Sequence, residues 1–307
     1  MEQFVFDAGS GTQLHARIWM PEGKPAAILQ VIHGMTEHMG RYDALAAYLT
    51  QHGIAVAGFD LRGHGLNEGD PDVASFGEDG WEASLEDICL FGRLLDERMP
   101  GVPRVLMGFS LGSFLLSDYL ASGQKDMAGA IVMGTGMQPG LVLSIMSAIV
   151  KGQIGKAGFD ATTPLVRKLS FETYNQKFKP NRTPSDWLCA DDEQLDAYRA
   201  DPLCKQDISS GLFHQLLGSM KRAASGQLYS RWPEMSILLL SGASDPVGSF
   251  GRGVTKVEAA LKAAGQPNVQ LQLFHGARHD VLHEENTGTA MQARQLIAKW
   301  VLDAVRK

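Results

Sequence analysis

A chain of 307 residues that is 44% hydrophobic and 20% charged has the make-up of an ordinary globular protein and can build a large core without staples. Its 28 basic and 34 acidic residues leave a net charge of −6, which excludes the footprint of a nucleic-acid binder. Cys89, Cys189 and Cys204 are odd in number, far apart and without C-x-x-C spacing; this argues against a disulfide framework or a zinc site and fits a reducing compartment.

The chain opens MEQFVFDAGSGTQLHARIWM. No basic stretch leads into an apolar run, so the expectation is a cytoplasmic protein with no signal peptide. Phe4–Phe6 and the partly alternating Leu14–Met20 predict two strands, with Gly9-Ser10-Gly11 as a hairpin turn. Ala26–Gly34 is a near-continuous apolar run that ends at glycine. Arg41–His52 reads as a helix stopped at Gly53. Ile54–Asp60 is another apolar run, and Ser84–Met99 a helix halted before Pro100. Further strands are predicted at Arg104–Ser110, Gly129–Gly134, Ser236–Gly242 and Val269–His275. In the last helix Ala293, Leu296, Ile297, Trp300, Val301 and Ala304 recur at the spacing of one helical face. Short apolar runs suit central strands covered on both faces. Their alternation with helices predicts an α/β fold with a mostly parallel sheet.

The alternation fails between Met137 and Arg231. That stretch is more polar, with helical pieces, Pro-punctuated turns and no buried-strand run. The sheet pattern resumes at Ser236. Residues 1–136 and 232–307 are therefore expected to form one core, with 137–231 inserted into it. Leu141–Val150 is the most apolar segment, at about half the length needed to span a bilayer. No transmembrane segment is expected, and peripheral contact with lipid through the insertion stays open. Oligomeric state is not legible.

Chemistry concentrates at Gly108-Phe109-Ser110-Leu111-Gly112. It follows an apolar strand and precedes the helical run LGSFLLSDYLA, the context of a G-x-S-x-G nucleophile elbow. The flanking glycines are required because strand and helix nearly touch at such a turn. A serine hydroxyl needs a base within hydrogen-bond reach, and the base needs an orienting acid. With this elbow the chain order is Ser, Asp or Glu, then His. Asp245, just past Ser236–Gly242, and His279, just past Val269–His275, supply it. Both fall at carboxyl ends of strands, where open α/β sheets place their sites. Asp60 is the rival acid, and His275 and His283 flank His279. His275 is expected to pack or hydrogen-bond locally, and His283 to start the last helix. Asp280 is expected to point elsewhere. For the oxyanion, the backbone N–H of Leu111 is one candidate donor and that of Met35, in His33-Gly34-Met35-Thr36-Glu37-His38, the other.

HGMTEHMGRY, FDLRGHGLNEG, GFSLGS, SGASDPVG and HGARHDVLHE occur in this order. Together they resemble the monoacylglycerol lipase and lysophospholipase branch of the α/β-hydrolases, which grades into the proline-type serine aminopeptidases. The resemblance covers nearly the whole chain. It implies an α/β-hydrolase fold, the triad Ser110, Asp245 and His279, oxyanion donors at Met35 and Leu111, and a helical cap over the site. Arg62-Gly63-His64-Gly65 matches a signature read as structural. The family often carries HG-small-GEH, so Met35 and Thr36 depart from the pattern and are expected to narrow the pocket.

The implied activity is hydrolysis of carboxylic esters such as monoacylglycerols or lysophospholipids. A peptidase with the same triad needs acidic groups near the site; Glu172, Asp191, Asp192 and Glu193 are candidates. A silent binding protein on this fold would lack an intact triad. The apolar residues of the insertion, Leu141–Val150 and Leu212–Met220, either dock it or line a pocket. No Walker A, metal constellation or dinucleotide fingerprint is present, so no cofactor or metal is implied.

Overall fold

The computed structural model describes every residue except Ser10, Asp126, Gln206 and Lys307. The strands are β1 (Glu2–Asp7), β2 (Gln13–Trp19), β3 (Ala27–Ile32), β4 (Ile54–Phe59), β5 (Val73–Ala74), β6 (Arg104–Phe109), β7 (Gly129–Met133), β8 (Asp207–Ile208), β9 (Ser236–Gly242) and β10 (Asn268–Phe274). Eight of them form one sheet in the order β1-β2-β4-β3-β6-β7-β9-β10. β2 runs antiparallel to β1 and β4, and the other neighbours are parallel. The β1–β2 turn closes through the Thr12 N–H to the Gly9 carbonyl; its predicted middle residue, Ser10, lies outside the described residues.

The apolar runs have a simple cause. Along β3, Ile28 and Ile32 join the core on one face, while Leu29 and Val31 join the core on the other. A strand covered on both faces cannot alternate apolar with polar. One face is covered by α1 (Asp43–Gln51), through Leu45 and Leu49, and by the C-terminal helix Thr289–Ala304, through Ile297 and Val301. The other is covered by α2 (Gly80–Arg98) and α3 (Leu111–Ala121). A helix at Arg252–Ala263, which the sequence pattern does not predict, joins them through Val254, Val257 and Leu261. The predicted helix at Arg41–His52 divides in two: a 3-10 turn at Met39–Tyr42 precedes α1. The predicted Ser84–Met99 helix begins a turn earlier, at Gly80.

Between β7 and β9 the chain forms α4 (Gly140–Ala157), α5 (Pro164–Arg167), a π-helical turn (Lys168–Glu172), α6 (Thr173–Asn175), α7 (Asp192–Ala200) and α8 (Ser210–Ala224). After these, the helices already met at Arg252–Ala263 and Thr289–Ala304 are α9 and α10. Contrary to expectation this segment also holds a buried strand, β8, which pairs in parallel with β5. Two residues are too few to leave a sequence pattern. α8 is fastened to α3 by Arg222, which grips both carboxylate oxygens of Asp118 at 2.9 and 2.6 Å.

Candidate active site

The turn from β6 into α3 fixes Ser110. Its φ is 51° and its ψ −116°, a conformation that costs a non-glycine residue about 1–3 kcal/mol and persists only where the surroundings impose it. They do so here through backbone bonds: Ser110 N–H donates to the Met133 carbonyl at 2.9 Å, and the Ser110 carbonyl accepts from Ser113 N–H at 2.8 Å. The glycines are explained by contact. A Cβ on Gly108 would lie 2.3 Å from the Gly112 carbonyl oxygen, and one on Gly112 would lie 2.1 Å from that of Ile32.

Asp245 follows β9 and is fully buried. Its Oδ1 accepts the Val247 N–H at 2.8 Å. His279 follows β10, and the two loops are tied by Ser244 N–H to the Ala277 carbonyl at 2.9 Å. His279 Nδ1 then lies 3.0 Å from Asp245 Oδ2. The contact has ion-pair distance without hydrogen-bond alignment, and His279 Nε2 makes no hydrogen bond among the described residues. The His279 ring packs between Phe109 and Trp187, with centroids 4.9 and 5.1 Å away.

The two candidate oxyanion donors border the same space as Ser110. Leu111 opens α3, so its N–H has no intrahelical acceptor. The Met35 N–H makes no backbone bond among the described residues. The Met35 loop is held from behind by Glu37. One carboxylate oxygen accepts Gly34 N–H at 2.6 Å and the Tyr42 hydroxyl at 2.9 Å; the other meets Arg41. Arg41 also reaches Asp280 at 2.9 Å, and Asp280 meets His283 Nδ1 at 2.8 Å. Burial pushes the Asp280 carboxyl up, but His283 and Arg41 outweigh it and hold the group well below the usual carboxylate range. This buried chain of charges joins the Met35 loop to the residue beside His279.

Ser110 opens into an apolar cavity of about 450 Å³. Met35, Phe114, Leu143, Phe213, Leu217 and Val247 form much of its wall. The apolar residues of the inserted segment thus divide three ways. Leu143 and Leu217 line the cavity and Val150 packs in the core. Leu141, Ile145 and Ile149 do neither: they face outward, 75%, 54% and 39% exposed. Met35 lines this cavity, whereas Thr36 lines a different one.

The rival groups have other partners. Asp60 Oδ1 accepts the Met39 N–H at 2.8 Å and its Oδ2 the Leu66 N–H at 3.0 Å. His275 is exposed, not packed. His283 sits in the turn before α10, not in the helix. Arg62 pairs with Asp87, and Gly65 lies against the Asp60 carboxylate at a φ of 54°. Of the acidic candidates for amine capture, Asp191 caps α7 and Asp192 pairs with Arg182. None of Glu172, Asp191, Asp192 and Glu193 lines the cavity at Ser110. His38, Asp201 and Cys204 offer ligand atoms within 4.8 Å of one another. However, His38 Nδ1 accepts the Gly40 N–H, which leaves the proton on Nε2, shared with Asp201 at 2.8 Å. With both ring nitrogens engaged, His38 acts as a structural tie. Trp187, which carries the inserted segment onto His279, had no sequence signal beyond a tryptophan in a polar, proline-rich stretch.

A family model described as serine aminopeptidase, S33, matches residues 23–286. Rat monoglyceride lipase is 26% identical over 95% of this chain and 87% of its own. Among solved structures, a thermostable carboxyl esterase from Bacillus coagulans, in complex with glycerol, superposes with a TM-score of 0.89 at 23% identity, covering 99% of this chain and 98% of the other. A monoglyceride lipase variant from Saccharomyces cerevisiae, bound to a substrate analogue, gives a TM-score of 0.77 at 16% identity over 99% and 94%. The sheet is that of these neighbours, the α/β-hydrolase fold. With the family model matching most of its length, the chain belongs to the serine aminopeptidase S33 family.

Proposed function

We propose that the protein is a carboxylic ester hydrolase acting through an acyl-enzyme on Ser110. The observation that carries this reading is Ser110 in a strained elbow, opening into an apolar cavity, with His279 and Asp245 paired at 3.0 Å on neighbouring loops. In the mechanism, His279 Nε2 takes the Ser110 proton as Oγ attacks the ester carbonyl. The Met35 and Leu111 N–H groups receive the developing oxyanion. Asp245 holds the imidazole by Nδ1 and stabilises its protonated form. The tetrahedral species collapses, His279 protonates the departing alcohol, and the acyl group stays on Ser110. Water, activated by the same histidine, then releases the acid.

The apolar cavity supports an acyl chain, as in a monoacylglycerol, a lysophospholipid or a similar ester. The likeness to monoglyceride lipases supports the same class. Residues 137–231 act as a cap that shapes this choice. No helix among the described residues is long and apolar enough to cross a membrane. The outward stripe of Leu141, Ile145 and Ile149 supports peripheral contact with lipid through α4. Three cysteines that form no disulfide among the described residues support a cytoplasmic setting.

The test is turnover of p-nitrophenyl esters from acetate to palmitate, beside an amino-acid p-nitroanilide, with fluorophosphonate labelling. Ester turnover peaking at medium or long chains is expected, with label on wild type and none on Ser110→Ala. Turnover of the anilide alone would replace this reading with a peptidase. Label retained by folded Ser110→Ala would overturn the nucleophile.

A further inference from the structure

A second cavity, of about 370 Å³, shares the side chains of Phe171 and Trp187 with the apolar one. These two rings lie 6.1 Å apart and within 21° of parallel. Phe171 sits on the π-helical turn, a feature frequent at functional sites. The two spaces differ in chemistry. Thr36, Arg199, Lys205 and the Arg167–Asp207 pair border the second one. With exposed Glu172 at its edge, three cations face two carboxylates.

Lys205 is the informative residue. It is only 7% exposed, and among the described residues it has no carboxylate or hydrogen-bond partner. Lysine side chains are rarely so buried, and the Lys205 ammonium itself retains some exposure. Since Lys205 borders the cavity, a ligand there can meet its charge. Arg199 also has no ion pair among the described residues; its hydrogen bond goes to the Ser185 hydroxyl at 3.5 Å.

The departing oxygen must take its proton from His279. Trp187, which packs on that ring, forms part of the cavity wall. Thr36 continues directly from Met35, whose own side chain borders the acyl side. We propose that this cavity is the alcohol-side subsite and recognises a phosphate carried by the alcohol, through Lys205 and Arg199. The preferred substrates are then acyl esters of a phosphorylated alcohol, such as a monoacylglycerol phosphate, ahead of their neutral counterparts. This rests on the ester-hydrolase reading above. The bond changes are those already given: the acyl–oxygen bond breaks, the alcohol leaves with the proton from His279, water supplies the new acid oxygen, and the phosphate ester is untouched.

The test compares kcat/KM for 1-dodecanoylglycerol and its 3-phosphate, both below micelle formation, on the full chain. Wild type is expected to favour the phosphate by about tenfold or more, as a charge-assisted hydrogen bond implies, and the preference should shrink as salt rises. In Lys205→Met the ratio of the two values should fall by about tenfold. Arg199→Gln, at a less buried position, should lower it several-fold and stands in if Lys205→Met does not fold. Glycerol 3-phosphate should compete with p-nitrophenyl butyrate better than glycerol does, and Lys205→Met should abolish the difference. Equal or better use of the neutral ester by wild type, or a ratio unmoved by both variants, would overturn the subsite while p-nitrophenyl ester turnover upheld the hydrolase. Absence of turnover on every ester, with no label on Ser110, would instead remove the hydrolase reading beneath it.

Discussion

The sheet and the 137–231 segment contribute to the site by different means. Ser110, Asp245 and His279 stand at the ends of β6, β9 and β10, and backbone bonds with close glycine contacts set their places. Trp187 and Phe171 come from turns and border the Ser110 cavity as side chains, and Tyr198 and Lys205 border the neighbouring cavity. The sheet half tolerates almost no change of shape, because carbonyl oxygens occupy the space a side chain would need. The other half can exchange one side chain for another. On the proposed reading, reaction chemistry belongs to the rigid half and choice of substrate to the adaptable one. Substitutions separate the two halves by the size and breadth of their effects.

Asp245→Asn should lower kcat by about 10⁴, since the amide favours the wrong histidine tautomer, and by the same factor for every ester tested. A loss confined to long-chain esters would place Asp245 in substrate choice. Asp60→Asn should leave acyl-enzyme formation in place in whatever fraction remains folded. Arg41→Met probes the seam between the halves. Arg41 lies over the Tyr198 ring, 4.9 Å from its centroid, and separates two buried carboxylates, Glu37 and Asp280. Removing it should cost about 3–5 kcal/mol, measured as a fall in the urea midpoint. A change under about 1 kcal/mol would mean that the carboxylates do not depend on it.

Acid should loosen the sheet half first. His33 Nε2 accepts the Leu61 N–H at 2.8 Å and its Nδ1–H donates to the Gly34 carbonyl at 2.7 Å. The ring is therefore held neutral, and burial lowers its pKa to about 4 from 6.5. Between those values the unfolded chain takes up a proton that the folded one refuses. Stability present above pH 6.5 is lost as pH falls toward about 4, at about 1.4 kcal/mol per unit. His64, lowered to about 3 mainly by burial, acts in the same direction. Urea midpoints at pH 7.5 and 5 should show the loss; equal midpoints would contradict neutral burial.

The smallest effect is at Thr36. Its φ is 61°, unusual for a β-branched residue, and its hydroxyl meets Tyr198 at 2.8 Å. Thr36→Ala keeps the strained backbone and loses that bond, whereas Thr36→Gly loses the bond and relieves the strain. Glycine should therefore be about 1 kcal/mol more stable than alanine there. The reverse order in thermal melts would mean that the positive φ carries no strain.

Much of this architecture is legible in the order of the residues. The predicted apolar runs fall within a residue or two of β3, β4, β6, β7 and β9, since a strand buried on both faces has no polar alternation to confuse the reading. The elbow is legible because its glycines are demanded locally. Less is legible where partners are distant in sequence. Asp280 looks idle beside His279, and only the fold brings Arg41 to it across 239 positions. α9 escapes prediction because its buried apolar face is Val254, Val257 and Leu261 alone, and β8 because two residues carry no period.

The amino-acid order alone sets the α/β pattern, the elbow at Ser110 and the succession in which Asp245 and His279 follow it. These depend on burial and on steric limits within a few residues, which composition and spacing record. Packing in three dimensions settles that Trp187 covers His279, that Leu141, Ile145 and Ile149 face outward while Leu143 and Leu217 line the cavity, and that Lys205 is buried without an ion pair among the described residues. Those facts depend on which surfaces meet when the inserted segment settles on the sheet, and side-chain packing between distant segments leaves no period in the chain.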